Sequence, residues 1–498
     1  MRMDENADTP GNEPEVTAST APMSTPTQHQ TPREPRDDMH STMQEASYLS
    51  LSAMAERTDK HRSITEGLSF RSLLNAAVKG GQTDRSVSHR QNDGEIKSFI
   101  AAHDFLCKGD TSAAYQAYTQ HIRNFYPYIE LARLEAAYQN ILDAHSKGTA
   151  SIKASTSPEH FVVIYLGLAT GTLLSPGYER YQQIAEDLVE CSLEAFNYVL
   201  DVGDDLATVH CLIALTICSL FLDKAGSTWH LLGLAMTRGV ACGMHTAKEL
   251  RPETQANPTE HARTFWALFL LDTRVSCALD RPFYLEDSAV AMPKSLSPDE
   301  NLNNLVAQAR MMRAMRQPDR GEALCTFINL QHLHETIASR CALKEIDSVE
   351  AYAAGLVELF KYSVVTESSN CRMIVTETAE VFTKFLVSFE DQLISKTSAP
   401  TSLDGVLVLA IGAILCRLHA TAQIAQQQAA YQAINILTLL STRYSYARDL
   451  RDILMELLVT AVGTEQQQPS ARLRDLTDKV ELQLPSRIEN MILTKKPL

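Results

Sequence analysis

Apolar side chains recur at three- and four-residue steps along most of this chain, the period that gathers them on one face of a helix. The pattern becomes continuous at Glu95 and holds to Val462. It predicts helices from an Asp110 cap through Phe125, over Ile129–His145, from Ser157-Pro158 through Leu174, and over Tyr178–Leu200, Leu206–Leu222 and Thr228–Gly243. Further helices are predicted near Leu302–Arg316, Glu322–Leu343, Val349–Val365, Ile374–Ile394, Leu403–Gln423, Ala430–Tyr444 and Ala447–Val462. Strict alternation of apolar and polar positions nowhere exceeds about five residues. The expected fold is all-α: a multi-helical, antiparallel, bundle-like domain with short connectors. No repeat with a period of roughly 30–50 residues is visible, which disfavours a solenoid.

Both ends fall outside this pattern. Residues 1–45 hold six prolines and no aromatic residue, too little apolar surface to offset the entropy of ordering. Amphipathic pieces at Tyr48–Ala55 and Phe70–Val78 precede a Gly80-Gly81 break, and residues 1–94 read as a disordered, low-complexity tail with transient helix. The segment 464–498, with Gln466-Gln467-Gln468 and a basic end at Lys495-Lys496, reads as a polar C-terminal tail. Between them, 95–295 is expected to form one domain and 296–463 a C-terminal helical region packed on it.

Composition narrows the class. The 498 residues are 45% apolar and 21% charged, ordinary for a folded soluble chain with a sizeable core. A net charge of −15 argues against a surface built for nucleic acid or anionic membrane. Ten cysteines include no C-x-x-C pair and suit a reducing compartment, with buried thiols acting as small hydrophobes. Asp4, Glu5 and Asp8 stand where a signal peptide needs an apolar core. The apolar run Leu206–Leu222 contains His210, two threonines and a serine, and reads as a buried core helix rather than a membrane span.

The stretch Gly226–Asp287 stands out, because it holds both tryptophans, Trp229 and Trp266. It reads as two helices. Asn257, Pro258 and Glu260 fit the N-cap, N1 and N3 of the second, a capping box with proline first. Arg238 is the sole full charge of the first, which is therefore expected to be largely buried. Gly233, Gly239 and Gly243 would weaken that helix unless another backbone comes close. In the second, Asp272 lies on the stripe Phe265, Leu268, Phe269, Val275, Leu279. A buried charge needs a partner, so an Arg238–Asp272 pair is expected, with Arg281 or Glu260 as substitutes.

Trp229, His230, Gly233, Ala235, Arg238, Gly243 and His245, followed by Glu260, Arg263, Phe265, Trp266, Asp272, Arg281 and Pro282, resemble the paired signature of the fungal-specific transcription factor domain. That domain is the middle homology region of regulators with a binuclear zinc cluster. Phe269, Met244, Thr273 and Asp280 depart from the family's tyrosine, leucine, arginine and glycine. The resemblance implies a nuclear transcription regulator, of a kind often tied to a metabolic or secondary-metabolite pathway. It also implies a possible small-molecule effector, with a pocket expected near Trp229 and Trp266.

Residue types that carry chemistry are sparse. The first cysteine is Cys107, so the zinc cluster of the resembled family does not carry over: either DNA is reached through a DNA-binding partner, or a zinc-cluster exon is missing from this chain. Cys242 with His245, and His332 with His334, have ligand-like spacing but lack two further ligands. Phosphate-cradling loops, a G-x-S-x-G elbow and an H-E-x-x-H helix are missing from the sequence. Asp201, Asp204 and Asp205 are the candidates for a terpene-cyclase-like magnesium site, but helix capping explains them more simply. Arg310, Arg313, Arg316 and Arg320 form the densest basic patch, read as a solvated helix face. Asp449–Leu458 mixes acids with bulky aliphatics and reads as an amphipathic core helix. No catalytic, cofactor-binding or metal-ligating residue is assigned, no cofactor is expected, and the chain is not read as an enzyme. The rival to a regulator is a cytoplasmic all-α interaction protein, and a homo- or heterodimer fits either reading.

Overall fold

The computed structural model describes residues 104–106, 111–147, 157–175, 180–202, 204–222, 228–246, 258–292, 300–316, 327–332, 334–335, 345–362, 369–397, 399–419, 424–462, 471–479, 484 and 486–493. The predicted N-terminal tail 1–94, the Asp110 and Asn257 caps, Arg320 and the Lys495-Lys496 end lie outside these residues. Fifteen α-helices are described: α1 (Thr111–Phe125), α2 (Leu131–Ser146), α3 (Pro158–Leu174), α4 (Gln182–Val202), α5 (Asp205–Ser219), α6 (Thr228–Ala241), α7 (Pro258–Leu279), α8 (Glu300–Met315), α9 (Glu345–Tyr362), α10 (Ser369–Ser395), α11 (Asp404–His419), α12 (Ile424–Leu440), α13 (Tyr446–Val462), α14 (Ala471–Lys479) and α15 (Ser486–Leu493). Among the described residues the only β-type pairing is one isolated bridge, Thr246 with Ala291. The all-α expectation holds, and no described helix is long and apolar enough to cross a membrane.

Two clusters of buried side chains make the core, and each surrounds one helix that is apolar on all sides. In the first, α3 packs against α1, α2, α4 and α5. Its residues from Val162 to Leu174 are all buried, as expected of a helix with no polar face. Ser157 caps it by accepting from the His160 N–H, with Pro158 at the first position. The run read as a core helix rather than a span is α5, buried from Ala207 to Ser219.

In the second cluster α11 takes the central place, against α9, α10, α12, α13 and α15. Thr401 and Asp404 start it with a reciprocal cap: the Asp404 carboxylate accepts from the Thr401 N–H at 2.6 Å and hydroxyl at 2.8 Å. The acid-and-aliphatic stretch is α13. Leu450, Ile453, Leu454, Leu457 and Leu458 are buried there, the core face of an amphipathic helix. The segment read as a polar tail carries α14 and α15, whose Leu473, Ile488 and Ile492 are buried in this cluster.

Hydrogen bonds join the two clusters at the end of α5. Tyr444 Oη donates to Pro400 O at 2.9 Å, Arg443 Nη2 to Phe221 O at 2.9 Å, and Ser402 N to Leu220 O at 2.7 Å. The bonds to Leu220 O and Phe221 O satisfy carbonyls that the end of a helix otherwise leaves unpaired.

The first cluster also carries a polar chain through its core. Arg133 Nη2 donates to Glu159 Oε2 at 2.9 Å, Arg133 also pairs with Glu260 at the start of α7, and Glu159 Oε1 lies 2.7 Å from His210 Nδ1. His210 Nε2 sits 2.8 Å from Thr264 Oγ1, which donates onward to Tyr128 O. Four elements, α2, α3, α5 and α7, are thereby held in one register. Arg133 Nε donates to His160 Nε2 at 3.1 Å, so His160 serves as an acceptor and must be neutral. Burial holds its pKa below the ordinary 6.5. Glu159 is pushed up by burial but pulled further down by His210 and Arg133, and ends below 4.5.

Both depressed values have the same sign of linkage: stability is present at neutral pH and lost on acidification. The His160 part goes first, as pH falls below 6.5, and the Glu159 part below 4.5. Urea unfolding at pH about 7 and about 5.5 should show His160→Gln losing less stability than wild type across that interval. An equal loss in both proteins would contradict the His160 assignment.

Candidate functional site

Helices α6 and α7 hold the signature residues. Trp229 stacks on Tyr284, with ring centroids 4.4 Å apart, and Tyr284 Oη donates to Trp229 O at 3.1 Å. Gly233 makes room for that ring, since a Cβ there would lie 2.5 Å from the Tyr284 hydroxyl. The close approach expected at this glycine is thus a side chain, not a backbone. Gly243 ends the turn after α6 at φ 75°, where glycine carries no steric penalty. Trp266 is buried, edge-on to Phe269, with the Arg310 guanidinium 5.3 Å from its ring centroid.

Asp272 has no exposed surface, and its partner is not Arg238 but Arg313 of α8, which is 4% exposed. Arg313 Nη2 donates to Asp272 Oδ2 at 2.7 Å, Nε to Thr273 Oγ1 at 2.7 Å, and Nη1 to Leu285 O at 2.7 Å. Its guanidinium also lies 3.8 Å from the Phe269 ring centroid and 4.3 Å from that of Phe283. The second carboxylate oxygen accepts from Ser276 Oγ at 3.0 Å, and the Tyr284 N–H closes the set at 3.2 Å. Burial pushes the Asp272 carboxyl above its ordinary value, against the pull of Arg313. The expected Arg238–Asp272 pair does not form. Arg238 reaches Asp205 at the start of α5 instead, Glu260 is taken by Arg133, and Arg281 is exposed. Nor is the arginine row of α8 a solvated face: Arg313 and Arg316 bind α7, and Arg310 covers Trp266.

The C-terminal end of α7 is a second polar joint. Arg316 Nη2 donates to Ser276 O at 3.0 Å, Arg316 Nη1 to Arg281 O at 2.7 Å, and Lys361 Nζ to Cys277 O at 2.9 Å. Cations capping the last carbonyls also suit the helix dipole. Asp280 follows at φ 52°, the left-handed region that favours glycine, which the resembled family has at this position. Aspartate tolerates that geometry, and here its carboxylate is put to use. It accepts from Arg316 Nη2 and Tyr362 Oη at 2.9 Å each, and from the Arg487 backbone N–H of α15 at 3.2 Å. Burial raises its pKa, but Lys361, Tyr362 and Arg487 bring it below the ordinary value.

Beside these joints lies a cavity of about 160 Å³ between α7, α8, α9 and α11, with Ile488 of α15 on its wall. It exists because alanines stand where bulkier residues would meet: Ala278, Ala309, Ala354 and Ala410 line it. Charged groups interrupt the apolar wall at Arg274, Glu350 and Asp404, and at Glu358 and Lys361. Arg274 Nη2 donates to Glu350 Oε1 at 3.0 Å and lies 3.7 Å from Asp404 Oδ1. Arg274 and Glu350 each keep 32% of their side chains accessible. Burial raises the Tyr126 hydroxyl pKa against the pull of Arg274, and it raises Asp404 likewise. Neither Trp229 nor Trp266, beside which a pocket was expected, lines this cavity.

This all-α body, with its paired signature helices, agrees with the comparisons. Residues 115–339 match the profile of the fungal specific transcription factor domain. That match covers just under half of the chain. It extends past residue 295 to take in α8, whose Arg313 is needed to pair Asp272. The chain is 25% identical over 264 residues to the negative regulator of pleiotropic drug resistance STB5 of Candida glabrata, an alignment covering 50% of this chain and 25% of that protein. It is 26% identical over 237 residues to protein STB5 of Saccharomyces cerevisiae, covering 46% of this chain and 30% of that protein. The chain thus spans under a third of the length of these relatives. No solved structure matches it.

The remaining candidates have plain roles. Asp204 caps α5 by accepting from the Leu206 and Ala207 N–H groups, and Asp205 pairs with Arg238. His334 stacks on Tyr352, and His332 lies 3.9 Å from Glu335. Arg274, Glu350 and Asp404 escaped the sequence reading. The Thr401-x-x-Asp404 capping pattern was the one local signal pointing to any of them.

The joint between α7 and α8 can be measured. Arg313→Met and Asp272→Leu should each destabilise by about 3–5 kcal/mol, because each leaves a buried charge unpaired. The double mutant should cost clearly less than their sum. Arg238→Met, with its half-exposed partner, should cost under about 1 kcal/mol. Chemical denaturation of the four proteins checks this, and additive effects in the double mutant would exclude the pairing.

Proposed function

We propose that the protein is a nuclear transcription regulator whose helical body is a non-catalytic regulatory module, acting on the genes of a metabolic or secondary-metabolite pathway. The observation that carries this reading is the fungal specific transcription factor domain over residues 115–339. Two relatives with regulator or STB5 names support it.

A DNA-binding partner completes the reading. The net charge of −15 opposes contact with phosphates by the chain as a whole. The arginines of α8, the densest basic row, are turned into the protein and committed to Asp272, Asp280 and main-chain carbonyls. The module also takes a small-molecule effector in the cavity between α7, α8, α9 and α11, an apolar-lined space with convergent polar groups of the kind such ligands use. A relative's name ties it to drug resistance, a response to small molecules.

Chromatin immunoprecipitation of the tagged protein should find it at promoters, with occupancy lost when the DNA-binding partner is deleted. Salt-sensitive, sequence-selective binding of the purified chain to a duplex would remove the need for that partner. Absence from every promoter would overturn the regulator reading itself.

A further inference from the structure

We infer that the cavity between α7, α8, α9 and α11 selects neutral or cationic apolar molecules of about a dozen non-hydrogen atoms and rejects carboxylates. The inference rests on the effector reading above and adds the chemical class of the ligand.

Three observations carry it. The walls are apolar: Leu270 and Ala278 of α7, Ala309 and Met312 of α8, and Ala354 and Val357 of α9 face the space. A ligand therefore gains chiefly by moving apolar surface out of water. The polar end carries two carboxylates, Glu350 and Asp404, around one guanidinium, Arg274. The second cation on the wall, Lys361, lies 2.6 Å from Glu358 and donates to Cys277 O. Both lining cations thus already face carboxylates.

An incoming carboxylate that reaches Arg274 would sit beside Glu350 and Asp404, like charges gathered around one guanidinium. The outcome does not depend on the protonation of Asp404. With Asp404 charged, the polar end is one charge negative. With Asp404 protonated it is neutral, and Glu350 still repels an anion placed at Arg274. A ligand hydroxyl or ammonium meets the reverse situation. A carboxylate offers about four acceptor sites, so a donor can join Glu350 while Arg274 keeps its bond. The cavity is also sized by alanines from separate helices, which a single bulky substitution can fill.

The test uses the full-length protein and three matched probes: 4-phenylbutylamine, 4-phenylbutanol and 4-phenylbutyrate. Calorimetric titration and thermal shift should show the amine and the alcohol binding, with the amine at least about tenfold tighter in Kd than the acid. Glu350→Gln should narrow the amine-to-acid ratio severalfold while leaving the alcohol nearly unchanged. Ala354→Phe should abolish binding of all three probes, with the fold monitored by circular dichroism. An acid that binds as tightly as the amine would overturn the charge selection and leave the effector reading standing. No binding of any probe at millimolar concentration would sink the effector reading as well. Alcohol binding that survives in a folded Ala354→Phe protein would place the site elsewhere.

Discussion

A carboxylate with no exposed surface sits in the middle of α7, and much of the domain is arranged to keep it there. Asp272 can be charged in the core only if its oxygens are met by donors from more than one direction. Arg313 meets one side, while Ser276 and the Tyr284 main chain meet the other. Each partner brings a piece of structure with it. Arg313 fixes α8 and, through Leu285 O, the irregular strip after α7, and that strip carries Tyr284 to its place on Trp229 and Gly233. Replacing the pair with apolar residues would remove a desolvation cost. It would also remove the requirement that makes this packing differ from other ways of stacking greasy helices.

The same helix serves both clusters. Its N-terminal end is tied through Glu260 and Arg133 into the polar chain of the first cluster, and its last carbonyls are capped by Arg316 and Lys361. Arg274 then reaches Glu350 of α9 and Asp404 of α11 in the second. Around α7 the clusters do not interdigitate fully, because alanines fall at the contact. The cavity is a by-product of that packing, and its charge follows from the ion pairs that already hold the helices.

The helices were legible in the sequence because they depend on local spacing. Thirteen of them follow from the apolar period, and Ser157-Pro158 named its own cap. The two short helices at 471–479 and 486–493 escaped because their apolar residues, Leu473 and Ile488 among them, are too few for a period to show. Which charges pair was not legible. Asp272 was readable as needing a partner, but Arg313 lies 41 positions away and Arg238 in the adjacent signature helix was nearer along the chain. The arginine row of α8 misled for the same reason: spacing puts arginines on a face, but only tertiary packing says whether that face meets water. At Asp280, however, the departure from glycine was visible and has a physical meaning, a left-handed backbone with a carboxylate that gathers three elements.

The docking of α5 into the second cluster has a consequence for how the chain assembles. Within each cluster, helices that touch are mostly near neighbours in sequence, so the contacts that build it close short loops. The bonds from Arg443 and Tyr444 to the end of α5 span 222 to 224 positions. Such closures come at a large entropic disadvantage until both surfaces exist. During synthesis the Leu220 and Phe221 carbonyls therefore lack these donors until the turn at Arg443 and Tyr444 has been made.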